Sequence, residues 1–264
     1  MNSLLKVQNL SFRQRIESSA KKAKSNLILA LDLPADKPSR LLSRSIKILE
    51  SVHPYLCALK LNRQAVLPLG LFDGVQKIVK MAHDLGLPTI MDAKINDIGN
   101  TNRVIAEYYF KAGFDAVIAS PFVGWEEGLQ PVFEVAHQMK RGVILLVYMS
   151  HKGASEGYGQ TVRDPETGEL RSQCMVFAEK TLAWEADGAI VGATYPEKIR
   201  EVYAVLKDKV PIYSPGVGAQ GGDIEAAVKA GARYLIVGRT IVLAEDPAET
   251  AKRLRDAVQK CLKR

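Results

Sequence analysis

The sequence predicts a single (β/α)8 barrel, an α/β fold, with an extra helix at the N-terminal end. Eight short apolar runs alternate with helical patterns at spacings of roughly 25 to 40 residues, and charged or glycine-rich residues follow several of the runs. Barrels of this class commonly reach about 250 residues, so residues 1–264 are predicted to form one domain. The main alternative is a doubly wound open sheet, but no Gly-x-Gly-x-x-Gly turn follows the first run.

The elements are predicted in chain order from apolar runs, helical periodicity and turn residues. The polar N-terminal segment, up to Lys24, is predicted to be an amphipathic helix that closes one end of the domain. The predicted strands are 27–31, 55–59, 88–91, 115–119, 142–148, 189–192, 210–214 and 234–237. The predicted helices are 37–52, 65–85 with a break near Gly70 and Gly74, 102–111, 126–140, 173–185, 196–206, 223–230 and 247–262.

Strict alternation is interrupted after the fifth predicted strand. Residues 151–173 are rich in glycine, serine and charge, and residues 164–168 form a turn signal. We therefore predict a long loop here, with room for a small hairpin. Loops of this length in compact domains are often lids or binding loops.

Composition disfavours several classes of protein. The net charge is +7, but basic residues are dispersed without an aromatic-rich basic motif, which favours an anionic small molecule over a nucleic acid. Cys57, Cys174 and Cys261 are odd in number and widely spaced, so neither a disulfide framework nor a zinc site is expected, and the cytoplasm is the default compartment. No apolar run approaches the roughly 18 residues of a membrane span.

The densest charge lies where the third predicted strand ends, in the stretch PTIMDAKINDIGNT. Residues two apart on a strand share a face, so Asp92 and Lys94 are expected to project together, away from Ala93. Asp97 lies beyond the strand, where it can return to the same pocket or reach a neighbouring subunit. The alternative is an exposed loop with a weak surface salt bridge.

In a barrel, the residues that end the strands converge on one cavity. Alternating lysines and aspartates there disfavour a metal site, because each lysine neutralises the carboxylates that a cation needs. A lysine between carboxylates is held protonated, which suits a proton donor to a developing carbanion and not a Schiff-base nucleophile. The converging residues are Asp32, Lys60, Asp92, Lys94, Ser150, residues 215–220, Gly238 and Arg239.

A phosphate site is predicted after the last two strands. Residues 214–222 read SPGVGAQGG, and Gly238 with Arg239 follows the next strand. Glycines let backbone N–H groups approach an anion, a helix beginning near Asp223 presents its positive end, and arginine binds phosphate through two donors.

The four histidines are not predicted to be catalytic. His53, His83 and His137 fall on helix ends or faces and are expected to be structural. His151 adjoins Ser150, but no acid at suitable spacing completes a nucleophilic triad. Ser150 is therefore predicted to orient a polar ring or amide by hydrogen bonding.

The segment from Asp92 to Thr101, DAKINDIGNT, resembles the signature of the orotidine 5′-monophosphate decarboxylase family. The likeness extends through ALD at residues 30–32, Lys60, MSH at 149–151, PGVGAQ at 215–220 and GR at 238–239. Asp-x-Lys-x-x-Asp alone also fits sister enzymes that act on keto-sugar phosphates. The MSH and PGVGAQ segments favour the orotidine family.

The resemblance implies a cofactor-free and metal-free decarboxylation of orotidine 5′-monophosphate to UMP. By that resemblance, Lys94 protonates C6, Asp92 lies against the substrate carboxylate, and Lys60 holds the network. It also implies a homodimer in which Asp97 and Thr101 serve the partner's site. Asp32 and Asp97 are then expected at the ribose, Ser150 at the pyrimidine, and Pro215, Gln220, Gly238 and Arg239 around the phosphate.

The chain departs from the family pattern at Gly99, where family members usually have proline, and in the length of segment 151–173. A metal-dependent keto-sugar-phosphate lyase or decarboxylase is the nearest rival function. That rival needs a carboxylate where the second strand ends, and Lys60 is there instead. A non-catalytic nucleotide-binding barrel is the rival from another class, and it would not require all four charges Lys60, Asp92, Lys94 and Asp97.

Overall fold

Eight parallel strands close into a barrel in the computed structural model, which describes residues 10–164 and 167–262. The predicted barrel is confirmed, and the open-sheet alternative is excluded. The strands are β1 Leu27–Ala30, β2 Ala58–Asn62, β3 Thr89–Ile95, β4 Ala116–Ala119, β5 Gly142–Tyr148, β6 Thr161–Arg163, β7 Leu170–Ser172, β8 Gly188–Val191, β9 Ile212–Pro215 and β10 Ala232–Val237. Around the barrel they follow the order β1, β2, β3, β4, β5, β8, β9, β10, and β10 pairs back onto β1.

Helices connect the strands and cover the outside of the barrel. None of them, within the described residues, combines the length and apolar character that crossing a bilayer requires. The helices are α1 Phe12–Ala23, α2 Pro38–Val52, α3 Arg63–Leu69, α4 Gln76–Asp84, α5 Gly99–Lys111, α6 Gln130–Gln138, α7 Ala154–Gly157, α8 Gln173–Ala183, α9 Pro196–Leu206, α10 Ile224–Ala230, α11 Arg239–Val242 and α12 Pro247–Leu262.

The N-terminal helix packs against the N-terminal face of the barrel, as predicted. It begins after a capping box in which Ser11 and Gln14 satisfy each other's backbone N–H groups. Its Phe12 and Ile16 are fully buried against the residues that fill the barrel interior. A Cβ atom on Gly142 would lie 2.5 Å from the Phe12 ring, so β5 can begin under this helix only with glycine. Residues 1–9 of the predicted helix lie outside the described part of the chain.

Two strands run further than predicted, and the difference positions the site. Lys60 lies inside β2, and Asp92 and Lys94 lie inside β3, whereas each strand was expected to stop before them. The two strands pair Asn62 with Asp92. Charged residues are tolerated at these positions because the C-terminal ends of the strands open into a cavity.

Several connections also differ in detail from the prediction. The expected break between α3 and α4 is confirmed as a wide helical turn, Gly70–Val75, where Gly70 has a φ of +70°. Segment 151–173 contains α7 and an antiparallel hairpin of β6 and β7. The turn predicted at 164–168 includes residues 165–166, which lie outside the described part of the chain. The short helix α11 was not predicted.

Candidate active site

A cavity of about 1090 Å³ opens at the C-terminal face of the barrel. Its walls combine apolar side chains from the barrel with the charged ends of the strands. Nine of the predicted site residues line it: Asp32, Lys60, Asp92, Lys94, Ser150, Pro215, Gln220, Gly238 and Arg239. Two predicted site residues, Asp97 and Thr101, do not line this cavity.

Lys60, Asp92 and Lys94 form a continuous charge network on the cavity wall. The Lys60 ammonium donates to Asp92 Oδ2 at 3.0 Å, and the Lys94 ammonium donates to Asp92 Oδ1 at 2.6 Å. The Lys60 Nζ atom also lies 3.8 Å from Asp32 Oδ2. One carboxylate therefore holds both lysines by separate oxygens.

Burial and neighbouring charges shift the pKa values of Lys60 and Asp92 in opposite directions, and the effect of the charges is the larger. Burial lowers the pKa of Lys60, but Asp92 and then Asp32 outweigh that effect, so the pKa of Lys60 lies above its ordinary value. Burial raises the pKa of Asp92, but Lys60 and then Lys94 outweigh it, so the pKa of Asp92 lies below its ordinary value. At neutral pH the lysine is thus an ammonium and the aspartate a carboxylate.

Lys94 has an uncommon backbone conformation for a residue with a side chain. Its φ is +48°, in the left-handed region, and the pairing between β3 and β4 is irregular between Met91 and Ile95. Such a conformation costs about 1–3 kcal/mol and persists only where the surroundings enforce it. Buried Ala93 and Ile95 on either side fix the strand. The left-handed backbone at Lys94 places its side chain in contact with Asp92.

Asp32 presents an unsatisfied oxygen at the end of β1. Its Oδ1 atom is buried and has no hydrogen-bond partner among the described residues. A buried carboxylate oxygen without a donor is costly. The Asp32 side chain as a whole is 26% exposed on the cavity wall, so a ligand with a hydroxyl or amide donor can reach this carboxylate.

The glycine-rich turn after β9 folds back on itself at the mouth of the cavity. Gly216 and Gly218 have φ values of +97° and +74°, which side chains rarely adopt. The Gly222 N–H donates to Gly216 O at 3.0 Å, and the Gly218 N–H donates to Gly222 O at 3.0 Å. Arg239, at the start of α11, lines the same cavity. The combination provides backbone donors and a guanidinium, both suited to an anion.

Ser150 is fixed where β5 ends by close packing of neighbouring backbones. A Cβ atom on Gly192 would lie 2.6 Å from Ser150 Cα, and one on Gly216 would lie 2.9 Å from Ser150 Cβ. The Thr194 hydroxyl donates to the Ser150 carbonyl at 2.9 Å. The Ser150 side chain is therefore held between the β8 and β9 ends of the cavity.

Asp97 and Thr101 lie to the side of the large cavity, at the start of α5. Asp97 is exposed, and its carboxylate accepts from the Ile98 N–H at 2.7 Å. Asp97 and Lys94 both line a smaller cavity of about 520 Å³. Apolar side chains are exposed nearby, with Ile98, immediately before α5, at 69% and Tyr108, on α5, at 51% exposure. Within one chain Lys94 therefore lines both cavities, whereas Asp97 lines only the smaller of the two.

Sequence reasoning missed two polar residues that support the site. Thr240 accepts from the Ala219 N–H at 3.1 Å and so braces the glycine-rich turn. Asn102 is fully buried and hydrogen-bonds to the backbone of Asp97. Nothing in the local sequence distinguishes either residue. Thr240 acts on a turn that only the fold brings near it, and Asn102 acts on the segment that precedes its own helix.

The three histidines expected to be structural lie away from the large cavity. His83 contacts the buried Asp115 at 2.8 Å, and the His53 ring contacts the Glu50 carbonyl at 2.8 Å. Across residues 10–164 and 167–262, no three histidine, cysteine or acidic side chains are grouped in a way that could hold a metal ion.

A closed parallel barrel with a charged cavity at the C-terminal ends of its strands is the architecture of (β/α)8 barrel enzymes. Comparison with known proteins identifies the family. The sequence model of the orotidine 5′-phosphate decarboxylase / HUMPS family matches residues 25–254. The chain is 39% identical to orotidine 5′-phosphate decarboxylase of Thermococcus kodakarensis over 234 residues, which is 89% of this chain and 97% of the relative.

Solved structures agree with the family match. The chain superimposes on orotidine 5′-phosphate decarboxylase from Pyrococcus horikoshii with a TM-score of 0.72 and 36% identity, covering 88% of this chain and 99% of the other. The match to OMP decarboxylase from Leishmania donovani has a TM-score of 0.83 at 26% identity and covers 97% of this chain and 100% of the other.

The chain therefore belongs to the orotidine 5′-phosphate decarboxylase / HUMPS family, and it is an enzyme. The resemblance predicted from the DAKINDIGNT segment is confirmed. Family membership supports a decarboxylase role in pyrimidine biosynthesis.

Proposed function

We propose that this enzyme converts orotidine 5′-monophosphate to UMP and carbon dioxide, without a cofactor or metal. The observation that supports this most directly is the Lys60–Asp92–Lys94 network on the wall of the large cavity, with contacts of 3.0 and 2.6 Å. Lys94 is its outer member, with a side chain 28% exposed, whereas Lys60 is almost fully buried. Lys94 is thus the ammonium that a substrate can reach.

The proposed chemistry follows from this arrangement. The bond between C6 of the pyrimidine and its carboxylate breaks, carbon dioxide leaves, and the electron pair stays on C6. The Lys94 ammonium transfers its proton to that carbon, and solvent later reprotonates the lysine. A fixed ammonium is worth most while negative charge develops beside it, because the site need not reorganise during the reaction.

Asp92 and Lys60 hold the proton donor, Lys94, in place. Asp92 is charged at neutral pH, since the two lysines lower its pKa, and it is placed to lie against the substrate carboxylate. Lys60 holds Asp92 from the buried side.

The remainder of the cavity supplies binding energy away from the reacting carbon. We assign the substrate phosphate to Pro215, Gln220, Gly238 and Arg239, around the glycine-rich turn. Asp32, whose Oδ1 atom lacks a partner, is assigned to a ribose hydroxyl. Ser150 is assigned to the pyrimidine. Remote phosphate binding can then position the ring for reaction.

A homodimer completes the proposed site. Asp97 and Thr101 do not line the large cavity of their own chain, and apolar side chains are exposed at Ile98, next to Asp97, and at Tyr108 on α5. We therefore assign Asp97 and Thr101 to the site of the partner subunit, with Asp97 at the ribose. The cytoplasmic location, the absence of nucleic-acid and membrane partners, and the single domain spanning residues 1–264 stay predictions.

The test is the loss of orotidine 5′-monophosphate absorbance with purified enzyme in excess EDTA. The wild type is expected to consume the chromophore, and Lys94→Ala is expected to lose activity by at least about a thousandfold. Lys80→Ala is the matched control, because Lys80 is an exposed helical lysine that pairs with Asp84 on the same helix. An unchanged spectrum with the wild type, while UMP still binds, would overturn the decarboxylase assignment and make keto-sugar phosphates the next substrates.

The shared site has its own test. Asp97→Ala and Lys94→Ala subunits are each expected to be inactive as homodimers. A heterodimer of the two contains one site with an intact Lys94 and an intact Asp97, so activity should reappear. Verified heterodimers without activity would contradict the assignment of Asp97 to the partner's site.

A further inference from the structure

The side chain of Asn102 holds the backbone of Asp97 from both sides. Asn102 Oδ1 accepts from the Asp97 N–H at 3.0 Å, and Asn102 Nδ2 donates to the Asp97 carbonyl. Asn102 is 0% exposed, so these bonds do not compete with water. The exposed Asp97 is therefore held by a fully buried amide.

The same amide connects Asp97 to the connection after β4. Asn102 Nδ2 also donates to the Gly128 carbonyl at 3.0 Å. The adjacent Glu127 has a φ of +51°, and its carbonyl would lie 2.8 Å from a Cβ atom on Gly99. Gly99 thus allows the Glu127 backbone to pack directly against the start of α5. This contact gives a physical reason for glycine at position 99.

The contacts form one unit, defined here as the Asn102 clamp: Asn102 itself, the backbone of Asp97, the Gly128 carbonyl and the close packing of Gly99 on Glu127. The clamp fixes the backbone of Asp97 relative to two barrel strands, β3 before it and β4 before the 124–129 connection. Its side-chain carboxylate stays exposed. The exposed Asp97 carboxylate is therefore attached to a backbone that the clamp holds in place.

We infer that Asn102 is a positioning residue for the reaction: it fixes Asp97 in the orientation in which that carboxylate enters the partner subunit's active site. The inference rests on the proposed function and on the proposed sharing of Asp97. Asn102 touches no substrate in this scheme and acts only through Asp97. Its effect must therefore appear in the site of the other subunit and not in the site of its own chain.

A structural role for Asn102 gives a different expectation. If the clamp only stabilised the start of α5, its loss would weaken whichever subunit contained the substitution. A displacement of about 1 Å in a positioned group can reduce a rate by about a hundredfold. The two roles can therefore be separated by the subunit in which Asn102 is replaced.

The experiment uses purified heterodimers with different affinity tags on the two subunits. One subunit contains Lys94→Ala, so the only active site belongs to the other subunit and receives Asp97 from the Lys94→Ala chain. In the first arm, Asn102→Ala is added to the Lys94→Ala subunit. In the second arm, it is added to the subunit with the intact lysine. Decarboxylation rates are compared with the parent heterodimer without Asn102→Ala, and thermal midpoints are recorded for all three.

The first arm is expected to be slower than the second by at least about tenfold, with similar thermal midpoints in the two arms. Equal losses in the two arms would overturn the inference in favour of a structural role. A loss confined to the second arm would also overturn it, because Asp97 would then act within its own chain. An inactive wild type would refute the proposed function, on which the inference rests.

A second variant guards against a failure to fold. Asn102→Ser keeps a hydroxyl that can make one of the three hydrogen bonds in a smaller volume. With Asn102→Ser the decarboxylation rate is again expected to be lower in the first arm than in the second, but by a smaller factor than with Asn102→Ala. If Asn102→Ala heterodimers cannot be purified, equal rates in the two Asn102→Ser arms would overturn the inference.

Discussion

The two faces of the barrel each hold a carboxylate between two cations, but the cations differ. At the C-terminal face Asp92 contacts two lysines beside the large cavity. At the N-terminal face Asp115 contacts two arginines under helix α1. Arginine cannot be deprotonated in proteins and binds through a rigid set of donors, whereas lysine can release a proton. The same kind of cluster is thus suited to chemistry at one face and to stability at the other.

Every partner of Asp115 is fixed by the fold. Its oxygens accept from Arg15, from Arg141 at 2.6 Å and from the Thr89 N–H at 2.8 Å, and His83 Nε2 lies 2.8 Å away. Its side chain is 3% exposed. At the other face, Asp32 Oδ1 remains without a partner beside a cavity. A carboxylate with unfilled hydrogen-bonding capacity that borders a large cavity distinguishes the candidate active site.

The largest expected effect is on activity at the C-terminal face. Asp92→Asn removes the carboxylate charge that binds the Lys94 and Lys60 side chains, so kcat for orotidine 5′-monophosphate should fall by at least about a thousandfold. The loss of substrate absorbance measures kcat, and circular dichroism checks the fold. Asp84→Asn, an exposed carboxylate paired with Lys80, is the control. Activity within tenfold of the wild type would contradict the assigned role of Asp92.

The matched substitution at the N-terminal face should affect stability instead. Asp115→Asn leaves Arg15 and Arg141 without their buried counter-charge, which is expected to cost about 3–5 kcal/mol of unfolding free energy. Urea unfolding measures that loss, and kcat of the folded enzyme should stay within about threefold of the wild type. Asp84→Asn should change stability by no more than about 0.5 kcal/mol. A large fall in kcat without a loss of stability would break the proposed division between the two faces.

A smaller effect is expected in the pH dependence of stability. Burial raises the pKa of Asp115, but His83, Arg141 and the Thr89 N–H outweigh it, so the pKa lies below its ordinary value. A lowered folded-state pKa contributes stability above the unfolded-state pKa of about 3.9, and this contribution disappears as pH falls through the folded-state value. The difference in unfolding free energy between wild type and Asp115→Asn should therefore shrink from pH 5 to pH 2.5. Urea titrations at each pH measure it, and a difference that grows would contradict the sign.

The smallest effect concerns the support behind the glycine-rich turn. Thr240→Val keeps the shape of the side chain but removes the hydroxyl that accepts from the Ala219 N–H. A weaker brace should raise KM for orotidine 5′-monophosphate by about three- to tenfold, since one neutral hydrogen bond contributes about 0.5–1.5 kcal/mol, with little change in kcat. Thr250→Val, on α12 outside the cavity lining, is the control. A fall in kcat at constant KM would assign Thr240 to the chemical step instead.

Much of the candidate site could be predicted because its residues adjoin recognisable strands. Nine of the predicted residues line one cavity, and Lys60, Asp92 and Lys94 form one network. Asp115 could not be assigned in this way, because its partners are spread from Arg15 to Arg141 and only the closed barrel brings them together. Asn102 escaped notice for a different reason: a buried asparagine in the first turns of a helix has no distinguishing sequence pattern.

The sequence by itself determined the barrel, the order of its elements and the charges at the ends of its strands, because apolar periodicity and strand-end position are local properties of the chain. Only the tertiary structure decided that Lys60 lies within a strand, that Lys94 has a left-handed backbone, and that Asp97 is outside the large cavity of its own chain. These features depend on strand register, backbone strain and burial. All three are fixed by contacts between segments far apart in the sequence, and composition or spacing does not encode them.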